Sequence, residues 1–204
     1  MSTEAHVHVI DDDEPVRESL AFSLETAGFS VKTYESAVQF LERLHDAEFG
    51  CIVTDVRMPD MSGLELLREL KERGVEFPVI VMTGHGDVPL AVEAMREGVA
   101  DFIEKPFSDN AILASLRSAL DRSLDRREQS AERAVIAGRL ASLSPRERQV
   151  LEGLISGKAN KVVAIELDIS PRTVEVYRAN LMSKMQAASL SELVRMALFV
   201  ATPR

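Results

Sequence analysis

Five side chains far apart in the sequence carry chemistry that makes sense only jointly. Asp11 and Asp12 follow the run Val7-His8-Val9-Ile10, and Asp55 ends Cys51-Ile52-Val53-Thr54-Asp55. Thr83 ends Pro78-Val79-Ile80-Val81-Met82-Thr83, and Lys105 closes Asp101-Phe102-Ile103-Glu104-Lys105 just before Pro106. Short apolar, β-branched runs without polar alternation read as strands buried on both faces of a parallel sheet. In an open parallel sheet the C-terminal strand ends share one edge, which is where ligands bind. Three carboxylates, a hydroxyl and an ammonium therefore converge. Carboxylates a few ångströms apart repel in a partly dry site, and Mg²⁺, a hard cation that takes oxygen ligands, suits them. Lys105 adds a point charge for Asp55 or for a phosphate oxygen. The chemistry expected is phosphoryl transfer onto Asp55, with the carboxylate as nucleophile and the cations stabilising charge on the transferring group.

Each residue alone has a plainer explanation. An acid after a strand is commonly a helix cap, Thr83 could be a satisfied strand-end hydroxyl, and Lys105 a surface lysine. The joint placement is what carries the reading. Asp13 and Glu14 are read as the start of a helix, and Asp60 and Asp87 as loop residues. His6, His8, His45 and His85 have no paired partners and are not expected to bind metal. Cys51, the single cysteine, lies inside an apolar run and reads as a buried structural thiol.

The elements that must position these groups follow from periodicity and punctuation. Pro15 and the acids before it open a helix that Gly28 stops, with Leu20, Leu24 and Ala27 on one side. Val31–Tyr34 is a second strand. Ser36 caps a helix to about His45 with Val38, Leu41 and Leu44 inward. Helices are expected over 63–73, over 88–97 and from about 109. The result is a doubly wound, five-stranded parallel sheet with helices on both faces, an α/β domain of ordinary size.

Asp11-Asp12, Asp55, Thr83 and Lys105-Pro106 together resemble the signature of a response-regulator receiver domain (flavodoxin-like) over residues 5–122. The resemblance implies phosphorylation of Asp55 by a sensor histidine kinase. It implies a Mg²⁺ site made by Asp11, Asp12, Asp55 and the Arg57 backbone carbonyl, phosphate contacts from Thr83 and Lys105, and a cis peptide before Pro106. Phe102 matches the family's aromatic switch position, where Tyr is frequent.

From Asp109 to Leu140 there is no proline, and residues 123–141 form a mixed-charge stretch read as a helical or partly frayed linker. Its apolar repeat is too broken for a sustained coiled coil. Ser144, Pro145 and Glu147 then form a capping box that begins an all-α domain over 142–204. A short helix over 161–167, a tight turn at Asp168-Ile169 and a helix from Pro171 to Met185 suggest a helix-turn-helix. Thr173, Glu175, Arg178, Asn180 and Lys184 suit base edges and phosphates. Leu143-Ser144-Pro145-Arg146-Glu147, Lys161, Ala164, Leu167, Ile169-Ser170, Thr173-Val174, Asn180 and Lys184 resemble the LuxR-type DNA-binding domain, with Tyr177 where His is frequent. The resemblance extends DNA binding to Lys161 and Val174.

A receiver joined to this effector resembles the NarL/FixJ-type regulators, and the stretches 58–63 and 84–89 resemble the nitrogen-fixation members. By that likeness the chain is a transcriptional activator that forms a homodimer on phosphorylation. It binds double-stranded promoter DNA, works with RNA polymerase, and controls nitrogen-fixation genes. It is not expected to be an enzyme beyond slow loss of its own phosphoryl group.

Charge supports two units. Residues 1–120 hold 10 Lys+Arg against 23 Asp+Glu, and residues 121–204 hold 14 against 10, within a net charge of −9. The N-terminal stretch lacks a signal-peptide pattern, and no apolar run is long enough to span a membrane, so the expected location is the cytoplasm. An aspartyl-phosphate phosphatase would need an acid where Arg57 stands. A receiver that only docks partners would not need the full acid–Thr–Lys set.

Overall fold

The structure, a computed structural model, describes residues 5–84 and 88–201, and it divides into two compact units at residues 125 and 126. Of the residues read as loop or isolated above, His85 and Asp87 lie outside the described residues.

In the first unit the strands β1 (His6–Ile10), β2 (Ser30–Tyr34), β3 (Gly50–Asp55), β4 (Val79–Thr83) and β5 (Asp101–Glu104) pair in parallel, in the order β2-β1-β3-β4-β5. This is the expected doubly wound α/β sheet, and the order reverses between β1 and β3. Both faces are covered. Leu20 and Leu24 of α1 (Glu14–Thr26) pack on Val7, Val9, Cys51 and Val53, together with Ile112, Leu116 and Leu120 of α5 (Asp109–Ala141). On the other face Phe40 of α2 (Ala37–Glu42), Leu66 and Leu70 of α3 (Gly63–Glu72) and Ala94 of α4 (Val88–Arg96) pack on Ile10, Ile52 and Val81. Burying whole side chains on both faces is the main stabilising term, roughly 1.5–3 kcal/mol for each large one.

Caps set where the helices begin. Asp13 is the N-cap of α1 and accepts from the Val16 N–H, and Pro15 stands in the first turn. Ser62 and Glu65 form a reciprocal capping box on α3. Val38, expected inward, is 40 % exposed, whereas Ala37 and Phe40 are buried. The helix ends at Glu42 and passes into a 3₁₀ turn over Leu44–Asp46, and the inward stripe runs through Ala37, Phe40, Leu41 and Leu44, which puts Val38 on the flank. Cys51 is fully buried and burial pushes its thiol well above the ordinary range.

The loop after β3 returns close to the strand. A Cβ on Gly63 would lie 2.5 Å from the Asp55 carbonyl oxygen and 2.9 Å from Thr54 Cγ2. Only a residue without a side chain lets α3 begin against the end of β3.

In the second unit α6 (Pro145–Ile155), α7 (Asn160–Glu166), α8 (Pro171–Met185) and α9 (Leu190–Ala201) enclose a core of Val150, Leu151, Val163, Val174, Leu181 and Leu193. The stretch expected as a helical or frayed linker is helix throughout, the continuation of α5, and Ile136 near its end is buried in this core. Ser144 and Glu147 form the expected capping box on α6. Glu147 also accepts from Lys184 Nζ of α8 at 2.7 Å. That ammonium, with the Ser144 N–H, holds the Glu147 carboxyl below its ordinary 4.5, at about 2.

Two outcomes are expected. Gly63→Ala should destabilise the first unit by about 1–3 kcal/mol, the usual cost of overpacking, read as a lower midpoint in urea unfolding. Because the Glu147 pKa is depressed in the folded state, its contribution is present above pH 4.5 and is lost as pH falls toward 2. Melting curves of the second unit should therefore lose stability across that window in the wild type, and Glu147→Gln should show a shallower loss.

Candidate functional site: a phosphoryl-acceptor edge and an outward helix face

The register of β1 against β3 pairs Ile10 with Thr54, so Asp11 and Asp55 emerge side by side at the point where the strand order reverses. Asp11 is 1 % exposed and Asp55 9 %. Lys105 reaches them from the end of β5, its Nζ 2.8 Å from Asp11 Oδ2 and 2.5 Å from Asp55 Oδ1. Burial alone would lower the Lys105 pKa, but the hydrogen bonds to Asp11 and Asp55 outweigh it and the pKa lies above the ordinary value. The group is thus an ammonium at neutral pH. It offsets the repulsion between two buried carboxylates.

Backbone donors fix both acids. The Arg57 N–H donates to Asp55 Oδ2 at 2.7 Å and the Asp13 N–H to Asp11 Oδ1 at 3.0 Å. Arg17 Nη1 holds the Asp11 carbonyl oxygen at 2.6 Å. Thr83 is fully buried at the next strand end, and its carbonyl accepts from the Lys105 N–H at 2.7 Å. The Lys105–Pro106 peptide is cis. Phe102 pairs in register with Val81, so strand alternation puts it on the sheet face that carries Thr83. It is half-buried and lines an open groove of about 640 Å³ with Phe107 and Ser115.

The structure therefore brings Asp11, Asp55 and Lys105 into contact, with Thr83 on the adjoining strand end. Asp12 is exposed. Among the described residues no three Asp, Glu, His or Cys side chains are gathered closely enough to hold a metal. The donor chemistry nonetheless fits a hard divalent ion, since two buried carboxylates already share one cation and Asp12 is the next residue of the chain.

In the second unit the two helices of the helix-turn-helix are α7 and α8, joined through Asp168 at φ 53°. Val174, one of the expected DNA contacts, is fully buried against the core, so that assignment is corrected: it packs and cannot reach a groove. Lys184, expected on phosphate, has its ammonium on Glu147, and the Thr173 hydroxyl lies 2.8 Å from Ser170 Oγ at the start of the helix. Lys161, Glu175 and Asn180 are exposed, and Arg178 is half-buried. The outward face also presents Arg172, Ala179 and the 56 %-exposed Val176, which sequence reasoning missed. The signal was present: positions 172, 176, 179 and 183 follow the helical spacing opposite the core set Val174, Leu181 and Met185.

No helix among the described residues is long and apolar enough to cross a membrane. Comparison with known families matches residues 7–117 to the response regulator receiver domain and residues 141–197 to the bacterial regulatory proteins of the luxR family. The chain is 63 % identical to the transcriptional regulatory protein FixJ of Azorhizobium caulinodans, over 94 % of this chain and 91 % of that one. It is 56 % identical to FixJ of Bradyrhizobium diazoefficiens over 97 % of each. Among solved structures, full-length FixJ from B. japonicum aligns over the whole of both chains with a TM-score of 0.63 at 54 % identity. The response regulator StyR aligns over 96 % of this chain and 99 % of that one with a TM-score of 0.81 at 39 % identity. The chain belongs to the FixJ-like response regulators, in which a receiver domain is joined to a LuxR-family helix-turn-helix domain that binds DNA.

Proposed function

We propose that this chain is a transcriptional activator switched on by phosphorylation of Asp55, with a receiver over 5–122 and a DNA-binding domain over 142–204. The observation that carries the reading is the Lys105 ammonium held between two buried carboxylates at the switch point of the sheet. A sensor histidine kinase supplies the phosphoryl group. An Asp55 oxygen attacks phosphorus, the P–N bond to the donor imidazole breaks, and an acyl phosphate forms on Asp55. The Arg57 N–H orients the carboxylate for attack, and Lys105 balances charge on the transferred group.

Receiver domains of this family bind Mg²⁺ at the phosphorylation site, and here Asp11, Asp12, Asp55 and the Arg57 carbonyl would hold it. When bound, the ion supplies positive charge at the phosphoryl oxygens. Phosphate on Asp55 draws the Thr83 hydroxyl and Phe102 follows into the sheet, which favours a homodimer through the face made by α4, β5 and α5. Slow hydrolysis of the acyl phosphate resets the receiver.

The dimer presents two α8 helices to the half-sites of promoter DNA. Asn180 and Arg178 suit purine edges, Glu175 a cytosine amino group, and Val176 a thymine methyl, while Lys161 and Arg172 suit phosphates. The FixJ relatives are transcriptional regulatory proteins, and the proposal takes nitrogen-fixation genes as the targets, RNA polymerase as the partner at the promoter and the cytoplasm as the location.

Treatment with MgCl₂ and acetyl phosphate should place one phosphoryl group on the wild type and none on Asp55→Asn by intact mass, and light scattering should show only the former doubling its mass. Uptake without a change in mass would leave the acceptor assignment standing and reject the dimer. For DNA, Arg178→Ala and Asn180→Ala should each weaken binding to a duplex selected in vitro by the wild type, by about 1–3 kcal/mol per lost base contact. Unchanged binding in both would reject the assignment of α8 as the reading helix.

A further inference from the structure

The last turns of α5 are built into the second unit. Ile136 is 3 % exposed in a core shared with Leu143, Leu181 and Met185, and Leu140 packs beside it. Arg133 lies over the Phe199 ring of α9, 5.1 Å from its centroid. One turn beyond Ile136, Arg139 reaches the far end of α8. Its Nη1 donates to the Met185 carbonyl oxygen at 3.0 Å and its Nη2 to Gln186 Oε1 at 2.6 Å.

That end of α8 is a place where a cation has work to do. The final carbonyls of a helix lack intrahelical donors and carry the negative end of the dipole. Gln186 closes the helix at φ 54°, a conformation uncommon for a residue with a side chain. The forked guanidinium holds the last carbonyl and the cap side chain at once. Lys184 on Glu147 ties the same end to α6. The residues proposed to read DNA run from Arg172 to Asn180, N-terminal to the clamped turn. Val174 seats the first turns of α8 on the core and the clamp fixes its last turn, so the two together set the direction of the helix.

We propose that Arg139 is a positioning residue for DNA reading, which aims α8 by holding Met185 and Gln186 and makes the end of α5 part of the DNA-reading fold. Arg139 precedes residues 141–197, the part matched to the luxR family, and stands on the connecting helix α5. The proposal rests on the reading that α8 binds DNA.

The test uses the full chain treated with acetyl phosphate, and two labelled duplexes of equal length: one selected in vitro by the wild type, the other of random sequence. Base-edge contacts need an aimed helix whereas phosphate contacts tolerate a tilt, so Arg139→Ala should weaken the selected duplex about tenfold and the random one by less than about twofold. Arg139→Lys, which still places a cation on the Met185 carbonyl, should recover most of the loss. Circular dichroism at the binding temperature confirms that each variant is folded; should Arg139→Ala be unfolded, Arg139→Gln is judged by the same criteria. A role confined to stability would lower the melting temperature of the folded variant but leave both affinities unchanged, which overturns the proposal. Equal loss on both duplexes, or a lysine variant no better than alanine, also overturns it. A wild type that selects no duplex removes the DNA reading itself, and the positioning role with it.

Discussion

Asp11 and Asp55 are brought together by backbone register, since β1 and β3 pair in parallel and their side-chain sequences run out at the same edge. Neither carboxylate can retreat into water, because both are nearly buried and each is pinned by a backbone N–H. The ammonium of Lys105 makes the arrangement tolerable, and it arrives from the end of β5 at the sheet edge, two positions from β3 and three from β1 in strand order. Buried ion pairs of this kind contribute little net stability against an apolar alternative, while removing one partner is costly. The arrangement is thus better understood as a held reactive group than as a stabilising bridge. The glycine at position 63, the caps of α1 and α3, and the packing of both sheet faces keep the strand ends in register.

Most of the first unit was legible because its signals are local and mutually consistent. Apolar runs leading into Asp, Thr or Lys, with Pro or Gly soon after, placed four strands, and the run Val31–Tyr34 placed β2, all within a residue or so of their observed bounds. The site was legible for the same reason: parallel strands share an edge, so residue order along the chain becomes proximity in space. Two features were not legible. Val38 was misplaced because the inward stripe of α2 runs through Ala37, Phe40, Leu41 and Leu44 at helical spacing, a phase that carries Val38 to the flank. The hydrogen bond of Lys105 to Asp11 as well as Asp55 depends on side-chain reach, which sequence spacing does not encode.

In the second unit the helices were legible from caps and periodicity, but the partners of polar side chains were not. Lys184 and Thr173 looked like outward groups and are engaged within the protein. Val174 and Val176 are the same residue type two positions apart, one buried and one exposed. Helical phase separates them, and the family pattern, which lists conserved types, blurs them. The stretch over 123–141 is polar for most of its length, so Ile136 and Arg139 carried no visible mark of tertiary contact. The Met185 carbonyl that Arg139 holds lies 46 residues away in the chain.

Cys51 sits near the start of β3, four residues before Asp55, with no exposed surface and an elevated thiol pKa. A thiol that neither ionises readily nor meets solvent is a poor target for oxidants and electrophiles. The strand that ends in Asp55 is therefore chemically insulated at its sulfhydryl. Oxidants that reach the first unit would meet the 57 %-exposed Met95 thioether before the Cys51 thiol.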